Sequence, residues 1–215
     1  MKIEKIKSYG WEAALMGMRN PMNSWEKSDT IYTEAGIPVI GPNDLKLATN
    51  LIKAGPEHGK WARMVTVSMD ITAPLYWWKE MDTYKVGTTA NSQSTMHKLA
   101  SVPITIDCFE TDDMADDLEI YTTPLTTAAD VFNHLIGDCE RLRQLYLQTN
   151  DVRYWKELVR LLPEGWLQTR TWTANYAVLR TIYHQRKGHK LSEWHTFLDE
   201  IIYHLPYGKD FIVDN

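Results

Sequence analysis

Cysteine is nearly absent: Cys108 and Cys139 are the two in 215 residues, they lie far apart, and neither belongs to a Cys-x-x-Cys pair. That excludes a disulfide framework and points to reduced thiols in an intracellular, by default cytoplasmic, protein. A long apolar run is also lacking. The N-terminus, MKIEKIKSYGWEAALMGM, is charged from its second residue, so it reads as neither a secretory signal nor a membrane span. No block of Lys and Arg occurs, and 28 acidic against 23 basic side chains leave a formal net charge of −5. This balance argues against nucleic acid and anionic membrane as partners. Phenylalanine is scarce, four against nine Trp and eleven Tyr. Trp and Tyr join an apolar ring to a polar handle, which suits partly wet clefts and subunit interfaces as well as a core.

What is present suits a globular chain: 44% hydrophobic and 24% charged residues. A chain of this length can bury about 70% of its unfolded surface, and no repeat, low-complexity tract or linker divides it, so one domain over 1–215 is expected. Residues 11–18 predict a short helix, followed by the turn-rich RNPMNSW, and a short strand is expected at 38–40. PNDLKLATNLIKAG reads as a helix capped by Asn43 or Asp44 and stopped by Gly55, with Leu47, Leu51 and Ile52 at helical spacing. The β-branched Val65, Thr66, Val67, Ile71 and Thr72 predict a strand over 61–72. APLYWWKEMDTYK returns to a helical pattern, with Pro74 in its first turn.

The second half is mostly helical. Thr126 or Thr127 caps a long helix with an apolar stripe of Val131, Leu135, Cys139, Leu142 and Tyr146. Asp151 opens another, ended by Pro163; a third is expected over 169–187 and a fourth over 191–205. The fold expected is α/β of the α+β kind, a central mixed sheet packed by helices with a helix-rich C-terminal half.

Few residues carry an obvious chemistry. Asp112, Asp113, Asp116 and Asp117 lie in an acidic connector, where such acids are ordinarily solvated surface; no matched His or Glu completes a metal site, and none is expected. His184, His189, His195 and His204 form no HExxH-type pair, and Ser94 is not in a GxSxG elbow. On a helix over 169–187, Asn175 and Arg186 fall within about 20° of one another, with Trp172 near the same face. An amide and a guanidinium on an apolar face must be paired or must meet a polar ligand. The plainer alternative is that Arg186 salt-bridges a neighbouring helix and Asn175 caps a turn.

Residues 161–186, LLPEGWLQTRTWTANYAVLRTIYHQR, resemble the C-terminal signature of the flavin-dependent thymidylate synthases, through Leu162-Pro163, Thr169, Trp172-Thr173-Ala174-Asn175, Leu179 and Arg186. RNPMNSW is similar to that family's early loop beside the flavin, with Ser24 and Trp25 as its serine–aromatic pair. MVTVSMDITAPLYWWKEMDTYK resembles the strand, Ala-Pro and helix that lead into the family's central motif. The pieces cover most of the chain in order, and each is short.

The central motif is DTYKVGTTANSQSTMHK, where the family has Arg-His-Arg, two residues, Ser, then Asn-Glu-x-Ser-x-Arg-Tyr. Thr83-Tyr84-Lys85 replaces the first triplet, and Thr88 keeps a hydroxyl. Asn91 and Ser94 keep their types after one additional residue, and Met96-His97 ends the motif. Lys85 keeps a positive charge in place of one arginine; the other two arginines, the histidine and the glutamate are gone. An Arg grips phosphate with a planar fork that a Lys offers only as a point charge. A phosphate is then left to Lys85, Lys98, Arg186, His97 or the amides around Gly87. Pro56-Glu57-His58 is similar to the family's Pro-x-Glu-His, at a spacing that requires an insertion before Ala73-Pro74. His58 reads as a loop histidine, and Arg63 is its candidate replacement.

The resemblance implies a homotetramer with sites assembled between subunits. It implies FAD reduced by NADPH, methylenetetrahydrofolate as one-carbon donor, and conversion of dUMP to dTMP. Ser24, Asn175 and Arg63 are then implied at the cofactor, and Lys85, Thr88, Asn91, Ser94 and Arg186 at the substrate, with no catalytic residue assigned. The missing arginines favour an alternative: a nucleotide- or flavin-binding protein that keeps the fold without the synthase reaction.

Overall fold

The computed structural model of the chain describes residues 1–115, 117–118, 120 and 127–213, without the side chain of His97. It begins with strand β1 (Lys2–Tyr9), helix α1 (Trp11–Gly17), the short strands β2 (Ile31–Tyr32) and β3 (Pro38–Val39), and helix α2 (Pro42–Lys53). Strand β4 (Thr66–Pro74), helix α3 (Leu75–Met81), strand β5 (Thr89–Ser92) and the single turn α4 (Thr95–Lys98) follow. Helices α5 (Ala128–Thr149) and α6 (Val152–Leu161) precede strand β6 (Leu167–Asn175). Helices α7 (Tyr176–Arg186), α8 (Ser192–His204) and α9 (Gly208–Phe211) complete the described elements, apart from short 3-10 turns such as Gly59–Arg63.

The sheet runs in the order β1-β4-β6-β5, and β2 pairs separately with β3. Asp70 meets Thr171 and Thr72 meets Thr169, so β4 and β6 run antiparallel. Thr173 reaches the Thr89 carbonyl and the Gln93 amide donates to the Thr169 carbonyl, which makes β6 and β5 antiparallel as well. The expected α/β arrangement is present, and at these pairs the strand directions are antiparallel.

Two compact units interleave in sequence: Met1–Ile71, Asp82–Asn91 and Arg170 onward form the first, Thr72–Met81 and Ser92–Thr169 the second. In the first, alternate residues of β4 (Val67, Met69, Ile71) are buried, as a half-covered strand requires, together with Trp172 and Ala174 of β6. Leu179 and Ile182 of α7 and Trp194, Phe197 and Ile201 of α8 are buried with them. Trp11 meets Tyr176 edge-on at 5.0 Å, and Trp61 meets Phe211 at 4.9 Å. Trp11, Trp61, Trp77, Trp78, Trp172 and Trp194 are all buried, so the tryptophan surplus serves mainly as core.

A buried ion pair organises the chain before α2. Asp44 is fully buried and accepts from Arg19 Nε at 2.7 Å, Ser28 Oγ at 2.7 Å, Thr30 Oγ1 at 2.6 Å, and the amides of Asp29 and Thr30, each at 3.1 Å. Asp44 is therefore not the helix cap expected of it. The cap position is Gly41, with Pro42 after it, and Asp29 accepts the amides of Asn43 and Asp44 at 2.9 and 3.0 Å. A Cβ on Gly41 would fall 2.3 Å from Asp29 Cγ, so only glycine lets that carboxylate close on the helix end.

In the second unit, Thr127 and Asp130 form a reciprocal capping box on α5, and Asp151 accepts the Arg153 amide at 2.9 Å to start α6. Thr126, the other candidate cap, and Asp116 of the acidic connector lie outside the described residues. The core joins Leu99, Ile104 and Phe109 to Ile136, Cys139 and Leu158. Of the expected stripe, Cys139 is buried and Leu135 and Leu142 pack against the core, whereas Val131 is 38% exposed and Phe132 and Ile136 face inward in its place. Cys108 and Cys139 are unbridged.

Glu140 ties this unit together by accepting Arg143 Nε and Nη2 at 2.7 Å each, Gln144 Nε2 at 2.9 Å and the Ile104 amide at 2.8 Å. Led by the Arg143 bond and set against its burial, these hold the carboxyl at about 2. A depressed carboxylate stabilises above its ordinary titration range, and that contribution is lost as pH falls through the folded value. Glu140→Gln should lower stability by about 1–2 kcal/mol at neutral pH and flatten the acid limb of the thermal midpoint. An unaltered acid limb would show that the cluster adds nothing.

Expectations along the chain are corrected at three places. The strand expected from Trp61 begins at Thr66, because Trp61 to Arg63 belong to the 3-10 turn Gly59–Arg63. Residues 169–175 are strand, not the start of a helix: Thr169, Thr171 and Thr173 are β-branched and alternate with inward Gln168, Trp172 and Ala174, a period of two. Pro74 ends β4 rather than entering a helix. The orphan amides of Leu75 and Tyr76 donate to the carbonyls of Trp166 and Glu164, at 3.1 and 3.2 Å.

Candidate functional site

The strand-to-helix junction at Asn175 builds one wall of a cleft in the first unit. Asn175 has extended backbone, φ −136 and ψ 168, and its Oδ1 accepts the Val178 amide at 3.0 Å, an N-cap for α7. Its Nδ2 faces the chain at Gly87. There φ is +75, and a Cβ would lie 3.1 Å from Asn175 Nδ2 and 3.2 Å from Val178 Cγ2. Glycine satisfies both the left-handed backbone and the close approach. The loop 83–87 thus runs directly against the first turn of α7.

The cleft measures about 1130 Å³. Its second wall is the end of α2 and the following turn, through Ile52, Lys53, Pro56, Ala62 and Arg63. Thr83 to Gly87 and the α7 face from Ala177 to Gln185 complete it. Lys53, Arg63, Lys85 and Arg180 bring cationic groups to the lining, and none of the lining residues carries a carboxylate. Among the described residues, no carboxylate pairs with Lys53, Arg63 or Lys85; Arg63 Nη2 approaches only the Pro56 carbonyl, at 3.5 Å. Like charges so placed raise the local anion concentration in a chain whose formal charge is −5.

Of the residues that sequence reasoning singled out, Arg63, Lys85 and Asn175 meet at this cleft. Arg186 ends α7 and is not among the lining residues; its guanidinium lies over the Trp194 ring at 4.8 Å and its Nε donates to Tyr84 Oη at 2.9 Å. Trp172, Asn175 and Arg186 do not share the helical face expected of them, because Trp172 belongs to β6. Thr88 donates its hydroxyl to the Tyr84 carbonyl, closing the loop behind the lining. Asn91 is exposed on β5, and Ser24 is half-buried before the Trp25–Lys27 turn, its carbonyl accepting Arg19 Nη1 at 3.2 Å. Ser94 and Lys98 belong to the second unit, and His58 is exposed outside the lining. The side chain of His97 lies outside what the structure describes.

Sequence reasoning missed Lys53 and Arg180 as lining cations and Tyr84 as a structural hub. No motif marks them: Lys53 is an ordinary helix-end lysine, and Arg180 lies on α7 at no telling distance from Asn175. Among the described residues, no cluster of His, Cys, Asp and Glu forms a metal site, and no helix is long and apolar enough to cross a membrane.

No family model matches the sequence, and no curated protein matches it. Solved structures do match. The flavin-dependent thymidylate synthase ThyX from Helicobacter pylori, complexed with FAD and dUMP, superposes at a TM-score of 0.69 and 14% identity, over 100% of this chain and 98% of that one. Another structure of the same enzyme with FAD and dUMP gives 0.68 and 15% over the same shares. The UMP/dUMP methylase PolB from Streptomyces cacaoi, bound with 5-Br UMP, matches at 0.53 and 13%, over 83% of this chain and 73% of that one. This chain has the fold of the flavin-dependent thymidylate synthases.

Proposed function

We propose that the chain binds FAD and a pyrimidine nucleotide in this cleft and acts as a divergent flavin-dependent thymidylate synthase. In that reading dUMP becomes dTMP, methylenetetrahydrofolate donates the carbon, NADPH reduces the flavin, and the working form is a homotetramer. The observation that carries it is the cation-lined, carboxylate-free cleft against Gly87 and Asn175, on a fold whose solved examples were complexed with FAD and dUMP.

The lining fits such ligands. Its volume exceeds the several hundred Å³ of a typical single-ligand pocket, leaving room for a cofactor and a nucleotide together. Ile52, Pro56, Ala62, Val86 and Val178 offer apolar contact to flat rings, and the cations answer phosphate. Arg63 can engage two phosphate oxygens at once, Lys85 one. Gly87 lets the loop pack against Asn175 and Val178, which brings the Asn175 amide group to the cleft beside Lys85. When bound and reduced, the flavin supplies the hydride. The chain's own residues bind, orient and exclude water. Ser24, Asn91 and Ser94, outside the lining of their own chain, can serve a neighbouring copy's cleft in a tetramer. Thr88 acts by closing the loop.

A second reading keeps the binding and drops the turnover. It is favoured by Thr83-Tyr84-Lys85, which stands where the family carries Arg-His-Arg. One experiment addresses both: the visible absorption spectrum of the purified protein, before and after FAD is added and the excess removed. A retained flavin band followed by dUMP-dependent turnover is the expected result. Retained flavin without turnover would favour the second reading, and no retained flavin would remove the synthase reading.

A further inference from the structure

The loop from Tyr84 to Thr88 is held in one shape from both ends. Arg186 Nε donates to Tyr84 Oη at 2.9 Å, and the Tyr84 hydroxyl donates to Gln185 Oε1 at 2.9 Å. The phenol oxygen so accepts one bond and donates another, which fixes its direction as well as its place. The Arg186 guanidinium lies 5.7 Å from the Tyr84 centroid and 4.8 Å from that of Trp194, and Tyr84 meets Trp194 edge-on at 6.3 Å. Trp194 is fully buried, so this stack is rooted in the core of the first unit. At the other end, Gly87 rests on Asn175 and Val178, and the Thr88 hydroxyl reaches back to the Tyr84 carbonyl. Lys85, with its cationic side chain in the cleft lining, sits between these anchors.

We propose that Tyr84 is a positioning residue: its hydroxyl locks the cleft wall from Thr83 to Gly87, presents Lys85 to the ligand, and carries Arg186's contribution to binding. Arg186 thus acts on the ligand through Tyr84, not by touching it. The identity of the ligand rests on the flavin–nucleotide reading above; the clamp itself does not. A wall fixed before the ligand arrives spares the ordering of the loop at the moment of binding, so it tightens affinity without adding a contact.

Tyr84→Phe in the full-length protein isolates the idea, because it keeps the ring against Trp194 and removes only the hydroxyl. Amide hydrogen exchange at residues 85–88 of the ligand-free protein should accelerate by at least about two- to tenfold, the scale of one neutral hydrogen bond, because the hydroxyl also loses its bond from the charged Arg186. With dUMP as the probe on FAD-loaded protein, Kd should weaken by a similar about two- to tenfold. In a Lys85→Met background the same change should have little further effect, since the hydroxyl works through Lys85. Unchanged exchange in Tyr84→Phe would overturn the clamp. Fully additive losses of affinity would overturn the positioning role and make the hydroxyl a ligand contact. Wild-type protein that binds neither FAD nor dUMP would refute the flavin–nucleotide reading, and the exchange rates would still decide the clamp.

Discussion

Asp44→Ala should lower the unfolding free energy by about 3–5 kcal/mol, the range for breaking a buried ion pair from one side. The substitution leaves Arg19, itself buried, without its carboxylate, and also strips the acceptor from Ser28 Oγ, Thr30 Oγ1 and the amides of Asp29 and Thr30. Arg19→Met should cost less, because the other four donors still surround the carboxylate. Urea titration of the two variants gives both values. A loss under about 1 kcal/mol for Asp44→Ala would mean that water replaces the pair at little cost. The pair also has a pH signature. Burial pushes the Asp44 carboxyl up, but bonds from Thr30, Ser28 and Arg19 together outweigh it and hold the group below its ordinary value. Its contribution is therefore present above the ordinary carboxylate range and is lost as pH falls through the lower, folded value. The wild type should lose stability on acidification more steeply than Asp44→Ala. The same pair fixes the residues around Ser24, whose carbonyl accepts Arg19 Nη1.

The largest expected effect on binding comes from the cleft. Arg63→Gln combined with Lys85→Gln should weaken dUMP or FAD binding about a hundredfold, roughly tenfold for each lost charge-assisted bond. Apo-protein stability should hold or rise slightly, since both cations are exposed and neither has a carboxylate to lose. Wild-type affinity should also fall with added salt, more than that of the double variant, as screening of exposed charges requires. Equilibrium dialysis or fluorescence titration at two salt concentrations reads both. Unchanged affinity in the double variant would move the anion site out of this cleft.

Period and capping made much of the fold legible. The β-branched run through Val67 and Ile71 is a strand, and Pro42 and Asp151 mark helix starts within a residue or two. Legibility failed where two periods meet. Thr169 to Asn175 alternates, Tyr176 to Arg186 turns helically, and a single window over both reads as one helix. The Trp-Thr-x-Asn piece reads as helix and is strand up to Asn175, which is the joint itself. Asp44 misled for a related reason: an acid at a helix start usually caps, and only the distant Arg19 and Thr30 show that this one is a core acceptor. Arg63, Lys85 and Asn175 meet at the cleft and are legible in the sequence, because each lies beside a recognisable stretch. Lys53 and Arg180 join them through the folding of the chain and carry no local mark.

The order of the strands bears on how this protein is made. β6 is made after the other described strands, yet it lies in the interior of the sheet, between β4 and β5. Until Leu167–Asn175 has been synthesised, β4 presents an unpaired edge on the side where β6 will lie, and β5 has no neighbour on its inner side. Helices α5 and α6 can pack as a local hairpin well before that. The nascent chain thus passes through a stage in which its slow, non-local pairing is outstanding while a sticky edge is open. The row of threonines on β6 then closes the sheet from within, hydroxyl by hydroxyl, against Asp70 and Thr72.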